Sequence, residues 1–200
     1  MQYLTSAADP DTMTALQRAA EALRTTAEDA YKTIRTNADI SGEKRQRDIA
    51  SAYVTLVDAM ARLQEDGAIK ANTARADLER RLYGIPNSAD ASASISYRDA
   101  LDRAASLEDE SAAVAMLRRA HTSGDTLLTR ALLATSFDNQ WVDTINAYVE
   151  LEPNTATDIE ALWNARNRAV AGAFDYVYNK PAELGRLDIW AIRALAAQEA

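Results

Sequence analysis

The chain has 200 residues, 42 of them Ala, with 18 Arg against 4 Lys, one His, no Cys, six Gly, four Pro and a net charge of -8. The missing Cys excludes disulfides and thiolate metal sites, and the acidity removes the broad positive footprint of non-specific nucleic-acid binding. Ala is the best helix former, and so few Gly and Pro cannot serve the turns of an all-β protein, so an all-α fold is predicted.

Met1 to Thr5 shows no basic or apolar leader pattern, and the longest run without a charged residue is the nine residues Ile49 to Val57. A membrane span needs roughly 20. The chain is therefore expected in the cytoplasm or, if viral, in the virion or host cytoplasm, without a secretory signal peptide and without a membrane partner.

Asp9-Pro10 predicts a helix start, followed by an apolar seam at Met13, Leu16, Ala20, Leu23, Ala27, Ala30 and Ile34 that steps by three and four. Ser41-Gly42 interrupts it. A second helix is predicted from about Glu43 to Glu65 on the spacing of Ile49, Tyr53, Leu56, Met60 and Leu63, with Asp58 serving Arg62 one turn on. The short connection implies an antiparallel hairpin. Asp66-Gly67 predicts a further break before a third helix carrying Ala71, Ala74, Leu78 and Leu82, which stops at Gly84-Ile85-Pro86.

Asn87 to Ser94 is small and polar and coincides with a charge shift, since residues 84–200 hold 10 basic and 17 acidic side chains. Residues 1–86 are thus predicted as an N-terminal helical hairpin or coiled-coil-like arm, 87–95 as a linker, and 96–200 as a compact C-terminal helical domain. Ser96-Tyr-Arg-Asp99, Ser106-Leu-Glu-Asp109 and Thr155-Ala-Thr-Asp158 match the capping box. They support helices at about 97–105, 107–121, 125–136, 138–150, 156–178 and 182–198. Leu127, Leu128, Leu132, Phe137, Trp141, Ile145, Tyr148, Ile159, Leu162, Trp163, Val170, Phe174 and Val177 are the expected core. No 34-residue repeat aligns.

Catalytic equipment is sparse. His121, the only imidazole, lies outside any metal-ligand spacing and reads as a last-turn helix residue. Neither Ser123 nor Ser136 lies in a Gly-x-Ser-x-Gly elbow, and the scattered glycines assemble no phosphate loop. Glu108-Asp109-Glu110 reads as carboxylates at a helix start. No catalytic, metal or cofactor-binding residue is assigned. Three basic clusters, Lys44-Arg45-Arg47, Arg80-Arg81 and Arg118-Arg119, are either solvated helix faces or sites for an acidic protein partner. Leu16, Leu23, Arg45, Arg47, Arg80 and Arg81 are the candidate partner-binding residues.

The stretch Leu117 to Arg166, with Arg119-Ala-His-Thr-Ser-Gly-Asp125, Trp141-Val-Asp-Thr-Ile-Asn-Ala-Tyr148 and Pro153, resembles small helical proteins encoded by tailed phages and prophages of actinobacteria. The resemblance implies a non-enzymatic structural or assembly protein of the virion, working in several copies as a homo-oligomer or against other virion proteins. The alternative is a regulatory adaptor or antitoxin-like module that binds one host protein.

Overall fold

A computed structural model describes residues 15–85, 91–167 and 179–198. In chain order it shows α1 (Ala15–Thr36), α2 (Gly42–Tyr83), α3 (Ala91–Ala105), α4 (Glu110–Ser123), α5 (Thr126–Asn139), α6 (Val142–Leu151), α7 (Ala156–Asn167) and α8 (Ile189–Ala196). Short 3-10 turns at Pro153–Thr155 and Ala182–Leu184 precede α7 and α8. The fold is all-α, with no strand among the described residues. Asp9, Pro10, Met13, Val170, Phe174 and Val177 lie outside those residues.

The expected break at Asp66-Gly67 is not there: α2 continues for 42 residues. One interior Gly costs a helix only about 1 kcal/mol, and without a Pro or a left-handed cap the flanking helix formers carry the backbone through. The stop at Gly84 does hold. Its amide donates to the carbonyls of Glu79 and Arg80, and a Cβ there would meet the Arg80 carbonyl oxygen at 2.5 Å, so only Gly fits.

The described residues divide into two compact units. The division falls within α2, at residues 70 and 71, and not at the expected linker of 87–95. Residues 91–95 of that linker begin α3, while 87–90 lie outside the described residues. The expected 96–200 domain is also too long, because 179–198 cluster with the hairpin. A polar stretch marks a connection well enough, but it does not say which core the apolar face of a later helix will join.

The first unit comprises 71–167. Its middle is α5, buried at Leu128, Thr129, Ala131, Leu132, Leu133, Thr135, Ser136 and Phe137. A helix with Leu, Ala and Phe over most of its surface belongs inside a core. The α3, α4 and α6 helices pack on it, and Leu117, Ile145, Val149, Ile159 and Leu162 complete the cluster. Tyr83, Phe137 and Trp163 form a row with centroids 6.2 and 6.3 Å apart, a spacing at which tilted rings attract.

Aspartates set the helix starts here. Asp109 and Asp125 accept from the amides of Ala112 at 2.8 Å and Leu128 at 3.0 Å. Two of the expected capping boxes do not form, since Ser96 is inside α3 and the Ser106 hydroxyl donates backward to the Arg103 carbonyl. Thr155 directly precedes α7 as expected, its hydroxyl donating to the Glu152 carbonyl. Glu110 caps a different helix, its carboxylate accepting from the amides of Asp143 at 2.6 Å and Thr144 at 3.2 Å at the start of α6. No side chain of α6's own N-cap residue, Trp141, does that work.

The second unit comprises 15–70 with 179–198. The expected seam holds in outline: Ala20 and Ala27 are buried, with Leu23 and Ile34 partly buried against Ile49, Tyr53, Leu56 and Met60 of α2. Tyr31, outside the seam, is the largest side chain buried on α1. Burial pushes its phenol up to about 12, with Glu28 adding to the shift. Leu184 and Ile192 join the same core, so α8 adds a third helix to the hairpin.

Two ion pairs fix that third element. Arg35 donates through Nε and Nη2 to both carboxylate oxygens of Glu183, at 2.6 and 3.1 Å. Arg193 forks over Asp58 in the same way, so Asp58 is held by a residue 135 positions away, with Arg62 one turn on adding only a charge effect. Gln46 also donates to the Glu183 carbonyl at 3.0 Å.

Candidate functional site

The expected partner-binding residues fall at separate places. Leu16 and Leu23 are half-buried on α1, and Leu23 packs against the hairpin core. Arg45 donates to the Asn37 carbonyl at 3.0 Å and so braces the α1–α2 turn, and its neighbour Lys44 pairs with Asp48 at 3.2 Å. Arg47 is half-buried on the same helix. Arg80 and Arg81, near the end of α2, pair with Asp77 at 2.8 Å and Asp158 at 3.2 Å while keeping 60% and 61% of their side-chain exposure. The basic clusters at 44–47 and 80–81 thus serve intramolecular contacts in part, while Arg80 and Arg81, and likewise Arg118 and Arg119 on α4, remain exposed.

Exposed apolar side chains were not singled out by the sequence patterns. Trp190, on α8, is 78% exposed, beside Ile95 at 65% and Ile69 at 57% elsewhere in the chain. The signal was present: Asp-Ile-Trp-Ala-Ile-Arg puts Trp190 two residues from buried Ile192, on the other side of a helix that buries one face. Lys180 and Asp188 order the segment, Lys180 by donating to the Leu187 carbonyl at 2.8 Å and Asp188 by capping α8 through the amide of Ala191 at 2.8 Å.

A cleft of about 440 Å³ opens within the first unit between the end of α2, the end of α4, the start of α5 and the end of α6. Arg81, His121, Thr126, Arg130, Tyr148 and Glu152 supply its polar lining. His121 does sit in the last turn of α4, as its position suggested, and its Nε2 lies 3.3 Å from a Glu152 carboxylate oxygen. Gly124, with φ 74°, ends α4 and turns the chain directly into the Asp125 cap, which brings His121 and Thr126 to the same mouth. Arg130 donates to the Gly84 carbonyl at 2.6 Å. Burial raises the phenols of Tyr97 and Tyr148, with Glu152 adding to the shift at Tyr148, and the Arg130 charge lowers both.

A second groove, of about 790 Å³, runs between α4 and α6 along Asp109, Glu110, Val114, Arg118, Asp143 and Glu150. Its two best-placed carboxylates are already committed to helix amides. Among the described residues no group of three His, Asp or Glu side chains is placed to hold a metal ion, and no helix is long and apolar enough to cross a membrane. Comparison of the chain with protein-family models, with curated proteins and with solved structures gave no match.

Proposed function

We propose that this is a non-enzymatic structural or assembly protein that works in several copies through protein–protein contacts, in the virion of a tailed phage as the resemblance of residues 117–166 implies. The observation that carries the contact role is Trp190. A large aromatic side chain left 78% in water is costly to keep on a surface, and Trp is enriched among residues that dominate binding energy. The helix beneath it is pinned by the Asp58–Arg193 pair and by Ile192, so the ring is presented from a rigid support and a partner spends little ordering it.

The test measures oligomeric state by light scattering after size exclusion, with co-sedimentation on assembled particles. Trp190→Ala is expected to abolish self-association or particle binding while leaving far-UV circular dichroism unchanged. Leu16→Asp with Leu23→Asp asks the same of the α1 seam, but Leu23 also packs in the hairpin core, so loss of assembly there counts only if the helices persist. A monomer that never co-sediments and instead captures one host protein would replace the virion reading with the adaptor reading.

A further inference from the structure

Arg130 is the most unusual group in the cleft. One arm of its guanidinium holds the Gly84 carbonyl, yet among the described residues no carboxylate pairs with it, although the chain as a whole carries -8. Guanidinium has five N–H donors in a fork that matches an oxyanion, so most of its donor capacity is left for something else. Arg81 stands at the same cleft with only one nitrogen engaged by Asp158, and His121 and Thr126 add donors at the mouth. Glu152 is the single acid of the lining, and it is held against His121.

We propose that this cleft binds a small molecule carrying a carboxylate or phosphate group, seated between Arg130 and Arg81 with His121 and Thr126 at its edge. The cleft's volume falls in the range of about 300–1,000 Å³ typical of small-molecule sites. Its walls come from four helices of one unit, so the donors stand in place before the ligand arrives. A half-buried cation without a counter-charge is costly, and an entering anion removes that cost while releasing water from the guanidinium plane. The proposal is independent of the contact role of Trp190.

His121 is the sole histidine, so its imidazole proton resonances form an isolated reporter inside the cleft. Inorganic phosphate and, separately, succinate are titrated into the full chain at fixed ionic strength, with chloride as control. The expected result is a saturable movement of the His121 resonances with phosphate, succinate or both, absent with chloride. Which of the two acts names the headgroup class. Arg130→Gln is expected to weaken binding by about tenfold or more, the usual scale for losing charge-assisted hydrogen bonds. Should that variant lose helical circular dichroism, Arg81→Gln, at a 61% exposed side chain, carries the test with a smaller weakening. An equal response to chloride, no response to either anion, or unchanged titrations in both variants would overturn the proposal.

Discussion

The two units reach stability by different means. The 71–167 unit wraps its neighbours around α5, which is buried over most of its surface and contributes Leu128, Leu132, Leu133 and Phe137 to a single core. The hairpin unit gathers a smaller core around Tyr31, Ile49, Leu56 and Met60, and two exposed Arg–carboxylate forks hold α8 and the turn before it. Large buried side chains contribute roughly 25 cal/mol per Å² of area removed from water, whereas exposed ion pairs contribute little each and are screened by salt. One core is the larger and is centred on a single helix. The other is thinner, and its third helix is attached in part through charge.

The sharpest way to break this contrast is to cut into both cores and follow each unit by hydrogen exchange with mass spectrometry. Leu132→Ala empties the middle of α5 and is expected to cost about 3–4 kcal/mol, read as faster exchange across 91–151 with residues 15–60 little changed. A loss shared equally by both units would mean that they unfold together. Ala20→Leu attacks the thin core from the opposite direction: this fully buried position faces close helix packing, and overfilling it is expected to cost about 2 kcal/mol, confined to the hairpin unit. An equally large cost for deleting a cap would contradict the primacy of the cores, so Asp125→Ala, measured by urea unfolding, should remove only about 1 kcal/mol.

Smaller effects sharpen the comparison. Gln140 ends α5 at φ 57°, a left-handed conformation that suits Gly, and Gln140→Gly should add about 0.5 kcal/mol to the first unit. The charge-tied unit should respond to acid. Glu183 is held below its ordinary value by its hydrogen bonds to Arg35, and Asp58 by Arg193. A depressed carboxylate contributes stability that is present above its unfolded value, near 4, and lost as pH falls through the folded one. Lowering pH from about 5 to 3 should therefore release α8 first, seen as early exchange over 182–196 while α5 stays protected. At the alkaline end the sign reverses for Tyr31: its phenol is raised to about 12, so that contribution fades as pH climbs from 10 toward 12.

Local patterns were legible wherever they decide structure locally. The three-four spacing of Ile49, Tyr53, Leu56, Met60 and Leu63 and of the α1 seam located the hairpin, and the clustered Leu residues of 127–133 located the helix at the centre of the first unit. The choice of caps was less legible, because Asp109 and Asp125 each satisfy an amide three residues on without a capping box. The continuity of α2 was hidden by one Gly that the helix tolerates. Least visible was the company of α8: Arg35 meets Glu183 across 148 positions, and no local period encodes that meeting. The cleft was missed for the same reason, since His121 and Arg130 gain meaning only when Arg81 and Glu152 are brought beside them.

The pairing of α8 with the hairpin carries a consequence for the order of events on the ribosome. Residues 71–167 form an uninterrupted stretch whose contacts can close as soon as that stretch has emerged, while the hairpin's partner helix is translated only after the whole of that stretch. Until Leu184 and Ile192 arrive, the apolar face of α1 and α2 stands partly uncovered. Closure over so long a loop is slow relative to neighbouring contacts. The nascent hairpin is thus the segment that chaperones or a premature second copy would meet first. A stop codon before residue 184 would strand it in that state, with the intervening unit already folded.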